Sequence, residues 1–213
     1  LRMSPGQKKL WVHKFQHVYF SALYALLYIY WVLYTDYKKY FSKKIGQVPL
    51  KKLTTFQHIS FWAWKALHLG LFVGIPMIKL GFVHWIIGFL IMSAFAGFVL
   101  SIVFQMAHVV DKTDFIRSNS HEAIETEDEW AIHQMKTTAN FAMGNKFLTW
   151  FLGGLNYQVE HHLFPRISHV HYPDISKIVK ATCEEFNITY IEFKTFASAY
   201  RSHVNHLKQM GLS

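Results

Sequence analysis

In the stretch NYQVEHHLFP, residues 156–165, Gln158, His161 and His162 stand at i, i+3 and i+4. On a helix those spacings share one face, and a face bearing two imidazoles and an amide can hold a metal ion. Imidazole suits iron, zinc, copper and nickel, so residue type alone leaves the metal open. Glu160 falls elsewhere on the helix and is expected to support the ligands or to act as a first-turn acid rather than to ligate. Asn156 is expected to cap this helix after the Gly153-Gly154 break, and Pro165 to end it. A histidine pair by itself is a weak signal, because such pairs also decorate surfaces; its surroundings decide its meaning.

Those surroundings are apolar. Of 213 residues, 52% are hydrophobic and 17% aromatic, far from a disordered composition. No Asp, Glu, Lys or Arg occurs from Phe15 to Thr35 or from Leu80 to Val110. A hydrocarbon core about 30 Å thick takes roughly 20 helical residues, so runs of this length can cross it. The chain therefore reads as an integral membrane protein. Its formal charge of +9 does not point to nucleic acid, because the lysines cluster beside the apolar runs instead of alternating with base-stacking rings. The single cysteine, Cys183, excludes an internal disulfide and reads as a packing residue.

The expected fold is all-α. Residues 1–55 form a basic N-terminal part with an interfacial or re-entrant helix, 56–107 a transmembrane helical hairpin, 108–171 a metal-site region at the cytosolic face, and 172–213 a cytosolic helical cap. Lysines 38, 39, 43, 44, 51 and 52 face a single acid, Asp36, in the loop 36–55, which places that loop in the cytoplasm. Arg2, Lys8, Lys9 and Lys14 lie ahead of the first apolar run, so both of its ends look cytoplasmic; this favours an interfacial or re-entrant segment over a single crossing. The sequence GIPMIKLG, 74–81, is expected to be a tight turn between the hairpin helices. The hairpin then delivers His108 to the cytoplasmic side, about one turn beyond the membrane. Glu122, Glu125, Glu127, Asp128 and Glu129 read as a solvated acidic loop. The run ANFAMGNKFLTWFLGGL, 139–155, reads as a helix along the membrane face or beneath the bundle. Ile175, Ile178, Val179, Cys183 and Phe186, then Phe196, Tyr200, Val204 and Leu207, form the buried stripes of the cap.

In this arrangement His108 shares a side with His161 and His162, and the polar pair Gln134 and Asn140 flanks the intervening stretch. Polar groups next to membrane-embedded helices usually mark function, since placing them there is costly. The run NYQVEHHLFP, with WAIHQMKTTANF and WFLGGL ahead of it and HYPDISKIV behind, closely resembles the C-terminal region of membrane fatty acyl desaturases. The front-end type in particular carries Gln at the first position of the last histidine box. The likeness is dense from Trp130 to Phe186, thinner over the hairpin, where FQMAHVVD at 104–111 still looks like that family, and slight over residues 1–55.

The resemblance implies a non-haem di-iron enzyme that uses O2 and electrons to introduce a double bond into an acyl chain. It implies that His161, His162 and His108 bind iron, with Gln158 and Asn140 as further metal contacts and Gln134, Glu160 and His171 in support. The acyl chain would arrive on coenzyme A, acyl carrier protein or an intact lipid, and a ferredoxin or a b-type cytochrome would donate electrons. His133 reads as a packing histidine. The family's upstream boxes, H-x3-H and H-x2-H-H, have no full counterpart: HKFQH, His13 to His17, has the first spacing but is read as a decoy. The remaining histidines, His203 and His206 among them, are expected at the interface or in solvent. The chain is therefore expected to be the C-terminal portion of a desaturase, with an incomplete two-iron site and no activity by itself. Two other readings stay open: a related lipid hydroxylase or sphingolipid desaturase, and a non-catalytic membrane protein that holds zinc through the same histidines.

Overall fold

The computed structural model describes residues 1–46, 48–111, 113 and 127–213, and for 127–129 only the backbone. Glu122 and Glu125 of the acidic stretch lie outside the described residues. The fold is helical, with two short strand pairs among the described residues. It divides into two compact units, one made of Leu1–Phe20 and Ile102–Ser213, the other of Ser21–Ser101.

Four helical stretches build or border the second unit. Helices α1 (Trp11–Ala25) and α2 (Leu27–Ser42) meet at a 57° bend, the geometry of a broken span or a re-entrant loop. A β1 (Lys44–Ile45) and β2 (Val48–Pro49) hairpin follows. Helices α3 (Thr55–Leu80) and α4 (Phe82–His108) are each long and apolar enough to cross a membrane. Thr54 opens α3 with a capping box: its side chain accepts from Gln57 N, and Gln57 accepts from Thr54 N.

The tight turn expected over 74–81 shrinks to one residue. The helix widens to π geometry over Gly70–Gly74, and Pro76 then sits in the opening turn of the helical segment Ile75–Leu80. There its missing N–H and its ring are tolerated, so the chain runs on as helix. Gly81, at φ +78°, makes the reversal. Lys65 lies inside the apolar α3, where an unpaired charge would be costly; its ammonium donates to Asp36 at 2.7 Å and to the Val32 carbonyl at 3.2 Å. Helix α4 approaches the end of α1 closely, for a Cβ on Gly97 would stand 2.5 Å from the Ala25 carbonyl oxygen. Ser101 adds a bond from its hydroxyl to Tyr24 O at 3.2 Å.

The other unit holds α5 (Glu127–Thr137), β3 (Asn140–Phe141), α6 (Lys146–Phe151), α7 (Gln158–Leu163), α8 (Tyr172–Glu185), β4 (Glu192–Phe193) and α9 (Phe196–Leu212). Strand β3 runs parallel to β4, with Asn140 opposite Glu192 and Phe141 opposite Phe193. Residues 139–155 are thus not one helix. The β3 pairing takes their start, Ala142 turns at φ +48°, and only Lys146–Phe151 is helical, capped by Asn145, which accepts from Leu148 N.

Met135, Val159, Val179 and Cys183 form a buried cluster that ties α5, α7 and α8 together. Ile178 and Phe186, assigned to the same stripe from the sequence, are instead 68% and 67% exposed, so the buried face of α8 is narrower than its apolar content suggests. His203 and His206 also depart from expectation, being buried: His203 Nδ1 donates to Val109 O at 2.6 Å, and His206 Nε2 to Met3 O at 2.8 Å. A buried imidazole needs such partners, and main-chain carbonyls brought up from distant residues provide them.

Candidate metal centre

Helix α7 begins where glycine permits an abrupt change of direction. Gly153 and Gly154 adopt φ +57° and +78°, and a Cβ on Gly154 would lie 2.6 Å from His169 Cβ. Asn156 does not cap α7. Its amide donates to Thr149 Oγ1 at 3.0 Å and Ala142 O at 3.4 Å, bracing the loop, while the capping position falls to Tyr157 without a side-chain bond. Tyr157 is anchored through its hydroxyl, which donates to Met143 O at 2.7 Å.

From this base α7 carries Gln158, His161 and His162. The His162 ring lies with its centroid 4.9 Å from that of His108, the last residue of α4, and 5.9 Å from that of His161. Each of the three rings is engaged at Nδ1 by a different oxygen. His108 Nδ1 meets Thr137 O at 3.3 Å, His161 Nδ1 meets the Tyr172 hydroxyl at 3.3 Å, and His162 Nδ1 meets Gln134 Oε1 at 2.7 Å. A carbonyl can only accept, so His108 and His162 carry their proton on Nδ1 and present a bare Nε2 lone pair. Metal-binding histidines are typically fixed in this way, with the outer nitrogen bonded to an oxygen that sets tautomer and ring orientation. Burial lowers the pKa of His162 to about 4, helped by the charges of His108 and His161, so the ring is neutral at pH 7.

The neighbouring polar groups differ in what they have to spare. Gln158 is 1% exposed and its Nε2 has no hydrogen-bond partner among the described residues. Asn140 is already engaged: its Nδ2 donates to Glu160 Oε2 at 2.8 Å and to the Tyr190 hydroxyl at 2.6 Å, and its Oδ1 accepts from Val159 N at 2.9 Å. It therefore orients α7, and the second lone pair of Oδ1 is what it has left to offer. Glu160, buried completely, also accepts from the Tyr190 hydroxyl at 2.8 Å. Burial raises the Glu160 pKa, and the bonds from Tyr190 and Asn140 pull it back. His171 is exposed, and Tyr172 beside it makes the contact to His161.

Tyr190 is the participant the sequence did not disclose. Within ITYIEF it reads as one more core aromatic, and it reaches Glu160 across 30 positions of sequence. Gln134 is brought to His162 across 28 positions. His13, of the HKFQH spacing, accepts from Leu10 N within its own helical turn.

The His108 and His162 rings in fixed tautomers, with a buried unsatisfied amide on the same helix as His162, fit the donor type that a histidine-rich iron centre uses. They are few in number: among the described residues no group of three or more His, Cys, Asp or Glu is arranged to hold a metal ion.

Comparison with known proteins bears on the family. The fatty acid desaturase family model matches residues 4–194. The chain is 38% identical to the sn-1 linoleoyl-lipid 6-desaturase of Synechocystis sp., over 99% of its own length and 59% of that protein's. It is 34% identical to the protein of the same name from Arthrospira platensis, over 100% of its length and 57% of the relative's. It is 35% identical to the acyl-lipid (8-3)-desaturase of Physcomitrium patens, over 100% and 44% respectively. The chain thus spans about half the length of the curated relatives it matches. No solved structure matches it.

Proposed function

Because the chain belongs to the fatty acid desaturase family, we propose that it supplies part of the metal-binding face of a di-iron desaturase acting on the acyl chains of membrane lipids. The observation that carries this reading is the set of three imidazoles, His108, His161 and His162, each engaged at Nδ1 by a separate oxygen.

In this proposal His161, His162 and His108 ligate iron through Nε2. Gln158 turns its unsatisfied amide toward the same space, and Gln134, Tyr172 and the Thr137 carbonyl hold the rings. Bound iron would supply the oxidising power, drawn from O2 and external electrons, to remove two hydrogens from an unactivated acyl chain. The protein's own share is to keep the imidazoles correctly rotated, and to hold them in an environment poor in water. The remaining ligands come from residues outside this set, which is why the 213-residue chain alone is expected not to desaturate. Names of relatives that specify acyl-lipid substrates favour an intact lipid over coenzyme A or carrier-protein esters. A ferredoxin or a b-type cytochrome is the proposed electron donor, and the histidine face is proposed to lie toward the cytoplasm on the strength of the lysine-rich loop 36–55. The zinc reading rests on the same three histidines and would need a fourth ligand to close a tetrahedron.

A chimera tests the proposal. Residues 1–213 would replace the matching stretch of the Synechocystis 6-desaturase, and lipids of the expressing host would be profiled by gas chromatography and mass spectrometry. A new double bond is expected, to be lost in His161→Ala and His162→Ala chimeras. Equal product from those two chimeras would refute the assignment.

A further inference from the structure

The unit Ser21–Ser101 contains a two-part cavity that the histidine site does not use. Its larger chamber, about 680 Å³, is walled by Val32, Leu53, Phe56, Phe61 and Trp64. Tyr40, Leu50 and Leu53 also line an adjoining pocket of about 190 Å³, which is ringed by Lys43, Lys51, Lys52 and His58. One end of the space is therefore apolar and aromatic, and the other is cationic.

The cationic end is assembled by the β1–β2 hairpin. Leu50 N donates to Lys43 O at 2.8 Å, which sets Lys43 opposite the strand end that continues into Lys51 and Lys52. Within Ser21–Ser101 no acid is left over to neutralise these lysines. Ser21–Ser101 holds eight lysines and one acid, Asp36, and that carboxylate is taken by Lys65. Lys65 is itself saturated, by Asp36, by Val32 O and by the faces of Tyr37 and Phe61, so of the polar groups that also line the mainly apolar chamber, Lys39 is the cation without an ion pair among the described residues. At the rim, Trp62 Nε1 donates to the Tyr40 hydroxyl at 3.0 Å, and that hydroxyl's own hydrogen points to His58 Nδ1 at 2.7 Å. With the Tyr40 hydroxyl proton directed to its Nδ1, His58 would carry its own proton on Nε2, a further N–H donor beside the three ammonium groups.

A cavity with a cationic rim and an apolar chamber, on a chain that spans a membrane, matches an amphiphile with an anionic head. We propose that this cavity binds one anionic phospholipid, its phosphate among Lys43, Lys51, Lys52 and His58 and an acyl chain against Phe56, Phe61 and Trp64. The charge balance selects the head group: a zwitterionic lipid brings its own cation and leaves the net charge of the three ammonium groups unchanged, whereas a net negative one lowers it. The site shares no residue with the histidine set and does not depend on the metal reading.

Native mass spectrometry of the full chain, released from detergent with dioleoylphosphatidylglycerol or dioleoylphosphatidylcholine, tests this directly. One phosphatidylglycerol should be retained at least tenfold more strongly than phosphatidylcholine. The triple variant Lys43→Gln, Lys51→Gln, Lys52→Gln should weaken it on the order of 100-fold, each near-surface lysine contributing roughly fivefold. A control triple, Lys8→Gln, Lys14→Gln, Lys79→Gln, removes the same charge elsewhere and should leave retention unchanged. Ser60→Phe, which fills the chamber and spares the lysines, should also abolish retention, and it gives an independent answer if the triple variant does not fold. Equal retention of the two lipids, equal loss in the control, or unchanged retention in Ser60→Phe would overturn the proposal. So would displacement of the lipid by millimolar inorganic phosphate, which would mark a phosphate site with no use for the chain.

Discussion

Removing one hydroxyl, in Tyr190→Phe, should loosen the helix that carries the histidines. The Tyr190 hydroxyl donates to Glu160 at 2.8 Å and accepts from Asn140 at 2.6 Å, and Glu160 is completely buried between His161 and Val159 in sequence. A hydrogen bond to a charged group contributes about 1.5–3 kcal/mol, and one between neutral groups about 0.5–1.5 kcal/mol. Asn140 keeps its bond to the other carboxylate oxygen, so the variant should lose about 3 kcal/mol. At roughly 2–4 °C per kcal/mol for a chain of this size, the midpoint should fall about 6–12 °C. Cys183 provides the assay. It is the only cysteine in the sequence, is 4% exposed, and packs with Val159 of the same helix, so a thiol-reactive fluorophore reads the opening of this region alone. The pH dependence has a definite sign. Burial already holds the Glu160 pKa above its ordinary 4.5, and losing the Tyr190 donor raises it further. A raised carboxyl contributes stability below the unfolded value and loses it as pH rises, so the deficit of Tyr190→Phe should widen from pH 5 to pH 8. A midpoint within about 2 °C of wild type, or a deficit that shrinks as pH rises, would refute the role given to this triad.

Gln134→Leu removes the oxygen that fixes His162 at 2.7 Å and should lower metal affinity about 10- to 100-fold, measured by competition with a chromophoric chelator, with little change in thermal midpoint. His203 is buried and its pKa is depressed from 6.5 to about 4, by burial first and then by His206, against the opposing bond to Val109 O. The unfolded chain takes up a proton that the folded chain refuses, so stability should fall by about 3 kcal/mol as pH drops from 6.5 to 4, and His203→Gln should flatten that part of the profile. Gly97→Ala should lower the midpoint in detergent by an amount corresponding to about 1–3 kcal/mol, because its methyl group would press on the Ala25 carbonyl. An unchanged midpoint would mean that α4 and the end of α1 are not in close contact.

The sequence by itself determined the class of the molecule. Uncharged runs long enough to cross a bilayer have few alternatives to helix, since an apolar medium offers no other partner for the peptide groups. The local i, i+3, i+4 pattern likewise marked Gln158, His161 and His162 as a unit, because helical geometry within a single turn is set by the chain. Features that depend on two distant segments were hidden. Tyr190 on Glu160, Gln134 on His162 and Thr137 on His108 are each made by packing, and no spacing rule reaches across 28 to 30 residues. The same limit explains the misplacements. The polar side chain of Asn156 suited a cap, yet tertiary partners at Thr149 and Ala142 claimed it. Asn140 carried no local sign of its bonds to Glu160, Tyr190 and Val159. His203 and His206 carried no local sign of burial, which was decided by carbonyls brought from Val109 and Met3. Local sequence fixes what a side chain can donate or accept; only the folded chain fixes which partner uses that capacity, because the competing partners become neighbours through packing alone.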